Sequence, residues 1–538
     1  MQTIFTRIQK NWKSGLTVGL VSIPLSISLA VASQTTPIAG IITAIWAGLV
    51  ASIFGGSNFN IIGPTGALSG ILAAYALTHG PHMLPLLAIV TGLMIIGAYF
   101  LHLERYLVFI PASTIHGFTL GVACIIALNQ LNFAFGLQHV TKHETFFENV
   151  LESLSHIDTI SMPTTLVFIL FLVSLFVCTQ YIQQLPAVII MTPLGILLGY
   201  LSSLSYISVT LETLGDRFGS LSFMPFLPAT FSYTSTLFSS SLILALIAII
   251  ETMISARIAD GMTKTRHNSR KELFALGLAN ITSGFAGGIP ATAALARTAL
   301  NVQSGATNKI SATICSLVVA GISLLLLNFF SYIPLAVIAA ILVHVAVRMV
   351  EAEHFQKLYE YDKTNFIISL LVAAITIYHD PIMGILIGIS LSLIVFMEQL
   401  SSGYYAVSKL KISENQPVNS EKQSDSDILI YSFKGQLAYI NGQAHLARLE
   451  RKLHNYAYVI LNLADVFFID LDGADVLNEI ISLLHKHNKI VLISSINPSI
   501  NELIMASDEL QKLQRKGLIF KSTDDALDYI ALSNRRLA

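Results

Sequence analysis

The sequence predicts an all-α polytopic membrane domain of fourteen spans, set out as a 7+7 inverted repeat with half-helices at spans 3 and 10, followed by a cytoplasmic α/β domain. Three observations predict it. Residues 14–100 contain no Lys, Arg, Asp or Glu, a run far too long for one crossing, which must fold back through the bilayer. Two Gly/Pro interruptions, Gly63-Pro64-Thr65-Gly66 and Gly287-Gly288-Ile289-Pro290-Ala291-Thr292-Ala293, break otherwise apolar regions. Beyond about residue 400 the composition turns polar and then alternates between strand-like and helix-like stretches.

Of the 538 residues 54% are hydrophobic and 12% charged, against about 25% charged in a soluble domain. Most of the chain is therefore expected in lipid. The formal net charge of −1 carries no information on partners, and nucleic acid is not expected as one. Cys124, Cys178 and Cys315 lie far apart in apolar stretches and read as small buried hydrophobes. Arg7, Lys10 and Lys13 precede the first apolar run, which reads as a retained span because no small-residue cleavage site follows it.

Apolar segments fall near 15–32, 38–54, 65–78, 84–101, 113–131, 163–179 and 186–203. A second set falls near 237–258, 273–287, 293–305, 309–328, 333–347, 365–378 and 382–399. The shortest, 65–78 and 293–305, are third in their sets, and each follows a Gly/Pro break. Seven is odd, so the second set enters from the opposite side, and paired interruptions in such halves point to a transport site. Lys/Arg excess orients the chain. The 259–272 loop holds Lys264, Arg266, Arg270 and Lys271, and the 348–364 loop holds Arg348, Lys357 and Lys363. The 132–162 loop has only Lys142 against Glu144, Glu148, Glu152 and Asp158. Both termini are thus expected in the cytoplasm, the membrane being the bacterial inner membrane.

The domains are expected at 1–403 (membrane), 404–426 (linker) and 427–538 (cytoplasmic α/β). Strands are expected at 428–433, 438–440, 458–463 and 490–494, with a short apolar run at 518–520. Helices are expected near 442–455, 473–487, 499–513 and 523–532.

Several segments share one resemblance. Gly15-Leu16-Thr17-Val18-Gly19-Leu20 with Ile23-Pro24 resembles the opening span of the SulP family of anion transporters. Glu251 through Arg257-Ile258-Ala259-Asp260, Arg266-His267-Asn268, Glu272-Leu273, Gly277-Leu278-Ala279-Asn280 and Gly287-Gly288-Ile289-Pro290 resembles the most characteristic block of that family, continuing into Ala296-Arg297 and Ser304-Gly305-Ala306. Phe468-Ile469-Asp470-Leu471-Asp472-Gly473 resembles the signature turn of a STAS domain. The resemblance implies core and gate subdomains, an anion between the N-termini of the third and tenth spans, elevator-like secondary transport and a homodimer. Its substrates include sulfate, bicarbonate, chloride and dicarboxylates.

A helix that starts within the bilayer presents unsatisfied N–H groups and the positive end of its dipole, and two such ends suit an anion. The expected donors are the amides of Ala67, Leu68 and Ser69 facing those of Ala294, Leu295 and Ala296. Glu251 lies inside an apolar run, where a carboxylate costs roughly 3 kcal/mol on insertion scales. Ser255, at i+4, shares its face. Glu251 is expected either to carry a proton or, with Ser255 and backbone carbonyls, to bind Na+; the plainer reading is a helix-packing acid. The resemblance implies an acidic residue here on the coupling side. Arg297, about two turns past the second break, would attract an anion and leans the choice toward sulfate or a dicarboxylate; its plainer role is structural. Besides H+ or Na+ no cofactor is expected.

Three positions depart from the family pattern. Leu25 follows Pro24 where a polar residue is frequent, leaving only Ser26 and Ser28. His116 stands where a small residue is usual, and packing accounts for it and for His344 better than titration does. Asp472 replaces the phosphorylatable Ser or Thr of regulatory STAS domains, so a constant negative charge near a helix N-terminus is expected, in a structural role or in docking a cytoplasmic protein partner. The leading function is secondary active transport of a small anion, sulfate before bicarbonate or a C4-dicarboxylate. An anion channel or uncoupled exchanger, and a membrane sensor signalling through the STAS domain, are the alternatives. No HExxH or nucleophile–base pair suggests an enzyme.

Overall fold

A computed structural model describes residues 4–141, 143, 146–182, 186–204, 210–219, 235–379, 381–411, 427–452, 456–505 and 507–537. It divides into two compact units, Met1–Ser390 and Leu391–Ala538.

In the first unit the helices are α1 (Ile4–Ala32), α2 (Pro37–Phe54), α3 (Gly66–His79), α4 (Leu84–Phe100), α5 (Ala112–Leu128), α6 (Leu131–Phe135), α7 (Phe146–Ser155), α8 (Met162–Tyr181), α9 (Ala187–Ser203), α10 (Leu214–Phe218), α11 (Ser235–Thr263), α12 (Ser269–Phe285), α13 (Leu295–Gln303), α14 (Ile310–Phe330), α15 (Leu335–Met349), α16 (Ala352–Tyr361) and α17 (Lys363–Tyr378). Helix α18 (Pro381–Ser401) follows. Two short strands, β1 (Ile62–Gly63) and β2 (Thr292–Ala293), precede α3 and α13. A helix lies at each of the apolar segments named above. Nine helical stretches among the described residues are long and apolar enough to cross a membrane, and α9 and α17 are apolar but shorter.

The helices stop where their residues dictate. Gly55 ends α2 in extended geometry, and Pro64 cannot supply a helical N–H. After α12, Gly287 takes φ 89°, a conformation open to glycine at little cost, and Pro290 follows. The packing repeats between the two sets. Helix α4 lies on α12 as α14 lies on α2, and α1 on α14 as α11 on α4. Helix α5 lies on α17 as α15 on α8, and α1 on α13 as α11 on α3. Two groups result, α1, α2 and α4 with α11–α14, and α5, α8 and α9 with α15 and α17; α3 touches members of both. The first group has a core of small side chains, with Ala47, Ala51, Ala245, Ala248, Ala279, Ala291 and Ala293 buried around Ile62. Alanines let the helices close on the two strands.

In the second unit β3 (Tyr404–Lys411), β4 (Asp427–Leu437), β5 (Tyr458–Ile469), β6 (Ile490–Ser494) and β7 (Ile519–Phe520) form one sheet in that order. β3 is antiparallel to β4 and the rest are parallel. Helices α19 (Gly442–Lys452), α20 (Leu471–Lys486), α21 (Asn501–Met505), α22 (Asp508–Arg515) and α23 (Thr523–Leu537) complete it. Alternation along β4 and β5 sends Leu429, Tyr431, Val459 and Leu461 into one core and Ile428, Ile430, Tyr458 and Ile460, with Ala526 and Ile530 of α23, into another.

Three expectations are corrected here. Residues 404–411, assigned to the linker, are a strand, because their backbone finds a partner in β4; residues 412–426 lie outside the described residues. Residues 438–440 form a turn, with Asn441 accepting from the Ala438 amide at 2.9 Å. The helix expected over 499–513 is two, α21 and α22, with Ser507 capping the second.

The start of β3 is clamped. Gly403 has φ 60°, and a Cβ there would run into His445 Nε2. His445 Nδ1 meets the Tyr431 hydroxyl at 2.8 Å, and Arg448 lies over the Tyr405 ring at 4.6 Å. Burial, and then the nearby Arg448 charge, push His445 down from 6.5 to about 4. The folded domain therefore binds fewer protons than the unfolded chain between those values, so its stability is full above about pH 6.5 and declines as pH falls toward about 4. Protection factors of β4 and β5 amides in the full chain, referenced to unstructured exchange at the same pH, should fall as pH drops through that window, and His445→Phe should flatten the dependence.

Candidate functional site

The two interruptions meet. Ile62 pairs with Ala293 and Gly63 with Thr292 in an antiparallel ladder, extended by the Ala294 amide donating to the Ile61 carbonyl at 3.0 Å. Each strand runs directly into a helix, α3 at Gly66 and α13 at Leu295. Neither Thr65 nor Ala294, the N-cap residues, gives a side-chain cap. The first-turn amides of both helices thus lack the usual hydroxyl or carboxylate acceptor.

Side chains from surrounding helices grip both strands. Thr252 of α11 accepts from the Ala293 amide at 3.1 Å and pairs with the Thr292 hydroxyl at 2.9 Å. Asn280 of α12 bonds both backbone groups of Ala291, at 2.8 and 2.9 Å. Thr43 of α2 accepts from the Ile289 amide at 2.7 Å. On the other strand, Thr298 accepts from the Ile61 amide at 3.1 Å and Asn301 donates to the Phe59 carbonyl at 2.9 Å.

Four of the six expected amides fit helix geometry, and two do not. In α3 the first three helical residues are Gly66, Ala67 and Leu68. Ser69 is the fourth, the position at which an ideal helix turns the amide back toward the N-cap carbonyl. Its hydroxyl is also committed, to the Gly66 carbonyl at 2.7 Å. In α13 the Ala294 amide is taken by Ile61. The uncommitted first turns are therefore Gly66, Ala67 and Leu68 and, opposite, Leu295, Ala296 and Arg297. Ala67 and Leu68 are buried; Ala294 and Leu295 are partly exposed and Ala296 is exposed.

Arg297 sits in the first turn of α13, not two turns in, because the helix begins only after the ladder. It is 2% exposed. Its Nη2 donates to the Pro64 carbonyl, while Nη1 has no hydrogen-bond partner among the described residues. A Cβ on Gly63 would lie 2.9 Å from that Nη1, so glycine is what lets the guanidinium lie against β1. Glu251, partly buried on α11, accepts from the Thr65 hydroxyl at 3.1 Å and lies within electrostatic reach of Arg297. Ser255 is fully buried with an unpartnered hydroxyl. Ser26 and Ser28 on α1 also bury unpartnered hydroxyls. Two residues of the first break therefore touch ionisable groups, Pro64 through Arg297 and Thr65 through Glu251.

Glu272 stands in the sequence only as part of the block that resembles the family. It is 2% exposed and accepts from the Gly56 and Ser57 amides and from Asn60 Nδ2, each at 2.7 Å. An acid in a helix first turn beside Arg270 and Lys271 reads as surface. Only the glycine at 56, which brings the loop backbone against α12, hints otherwise. His116 stacks on His354 at 3.7 Å with Glu351 at 3.6 Å, and His344 meets Thr179 at 3.2 Å. In the second unit Asp472 is exposed in the first turn of α20, while Asp470 is the N-cap, accepting from Gly473 at 2.7 Å.

Residues 8–372 match the sulfate permease family and residues 419–526 the STAS domain. The chain belongs to the sulfate permease family and carries a STAS domain. It is 29% identical to the putative sulfate transporter YvdB of Bacillus subtilis, over 95% of this chain and 96% of that one. It is 25% identical to the bicarbonate transporter BicA of a Picosynechococcus, over 74% and 72%. Its fold resembles that of the murine Slc26a9 anion transporter in the inward-facing state, with a TM-score of 0.80 at 16% identity, covering 99% of this chain and 92% of that one.

Removing the Glu272 carboxylate strands three donors, each worth about 1–3 kcal/mol when buried and unpaired. Glu272→Ala should lower the melting temperature of the detergent-purified protein sharply. Glu272→Gln, which keeps one acceptor oxygen, should lose less.

Proposed function

We propose that the protein is a secondary active transporter of a small oxyanion, held between the first turns of α3 and α13 and coupled to H+ or Na+ at Glu251. Sulfate is the first choice, then bicarbonate or a C4-dicarboxylate. The observation that carries this reading is the ladder that delivers two uncapped helix starts to one place. Each start supplies about half a positive charge, and Arg297 adds a full one. The sum suits a dianion when Glu251 is neutralised. A proton or sodium ion on Glu251, with Thr65 and Ser255 as further oxygens, would thus favour anion binding, and the anion would favour the cation equally. The names carried by relatives, sulfate and bicarbonate transporters, fit the same range.

Fourteen crossings with α3 and α13 as half-helices, and alternating access in an elevator manner, complete the proposal. The exchange symmetry of the packing and the separation into two helix groups support it. So does the Lys/Arg content of the 259–272 and 348–364 loops, which favours cytoplasmic termini in the bacterial inner membrane. A homodimer, with the Asp472 face of the STAS domain meeting a cytoplasmic protein, is part of this reading.

Uptake of labelled sulfate, bicarbonate and succinate into proteoliposomes, under imposed pH or sodium gradients, tests it. One gradient should accelerate uptake of one anion, and Glu251→Gln should abolish that acceleration. Indifference to both gradients would favour an uncoupled exchanger or a channel. Arg297→Ala should raise KM for a divalent anion by about tenfold or more, equivalent to about 1.4 kcal/mol. Arg297→Lys, which keeps charge but loses the fork, should fall between.

A further inference from the structure

A cavity of about 430 Å³ opens between α1, α9 and α14 and shares no residue with the candidate anion site. Ile23, Val188 and Phe330, all buried, form its floor. Leu197, Tyr200 and Phe329, all exposed, form its mouth. Two hydroxyls belong to its lining: that of Thr192, committed to the Val188 carbonyl at 2.8 Å, and that of Tyr200 at the exposed mouth. Water in a cavity needs two to four polar partners, more than the Tyr200 hydroxyl at the mouth supplies among the described lining residues. All three helices are apolar, and α1 and α14 are long enough to span a bilayer. The mouth therefore opens onto hydrocarbon.

Depth is marked by two tyrosines. Tyr200 near the end of α9 and Tyr332 just past α14 meet edge to face at 5.2 Å, and tyrosines concentrate at the headgroup level. The cavity thus runs inward from that level, past Phe329, to Pro24 in the body of α1. An elongated apolar group tethered to a headgroup outside fits this shape. We propose that the cavity is a binding site for one acyl chain of a membrane phospholipid, distinct from the lipid that surrounds the protein. The chain would lie in the seam between the helix group of α1 and α14 and that of α9.

Fluorescence quenching tests the proposal without reference to transport. In a Trp12→Phe, Trp46→Phe background, Phe329→Trp places a reporter at the mouth. Leu325→Trp, on the outer face of the same helix and 81% exposed, is the control. The protein is reconstituted into phosphatidylethanolamine–phosphatidylglycerol vesicles with increasing fractions of chain-brominated phosphatidylglycerol. The mouth reporter should lose half its quenchable signal at about a tenth of the fraction that the control needs, a preference of about 1.4 kcal/mol. Val188→Phe on the floor, or Ile189→Phe on the wall beside it, should return it to the control curve. Identical curves for reporter and control, or no quenching of the reporter, would overturn the site.

Discussion

Two rungs of backbone pairing, Ile62 with Ala293 and Gly63 with Thr292, are what the rest of the first unit is arranged to protect. Extended chain in an apolar interior leaves every N–H and C=O in need of a partner. Neither break solves that alone. Joined antiparallel, each satisfies part of the other, and Thr252, Asn280, Thr43, Thr298 and Asn301 close much of the remainder. Alanines then let α2, α4, α11 and α12 approach the ladder closely enough to reach it. Glu272 extends the same logic to the loop that leads into β1, which would otherwise bring bare amides against α12.

The backbone is two-fold in pattern, but the chemistry is not. Arg297 is the third residue of α13, and the third residue of α3 is Leu68. The single arginine crosses from the second break to bond the first at Pro64, while Glu251, from α11, bonds Thr65. Both ionisable groups therefore act on the entry to α3. The other entry, at Ala294 and Leu295, is the more accessible one, and the hydroxyls of Thr252 and Thr292 and the amide of Asn280 hold the strand that leads to it.

Much of this was legible in the chain. Gly63-Pro64 and Gly287-Gly288-Ile289-Pro290 announce their breaks through local physics, since neither residue type tolerates helix continuation there. Spacing placed both short helices to within a few residues. What lay beyond reach was tertiary. The Ala294 amide is consumed by a residue more than two hundred positions away, and no local pattern reports that. The same holds for Arg297, whose place in the first turn follows from where the ladder ends, and for Glu272, whose burial contradicts its polar neighbourhood. In the second unit, residues 404–411 read as spacer from sequence because the strand they pair with lies across a polar stretch.

Because the amino ends of α3 and α13 are stitched together by main-chain bonds, they cannot draw apart without exposing unpaired peptide groups to an oily interior. Under the proposed function, release of a solute held there would come from carrying the intact cradle to different surroundings, or from moving the walls around it. The gatekeeping in that reading would fall to helices that contribute nothing to the stitch.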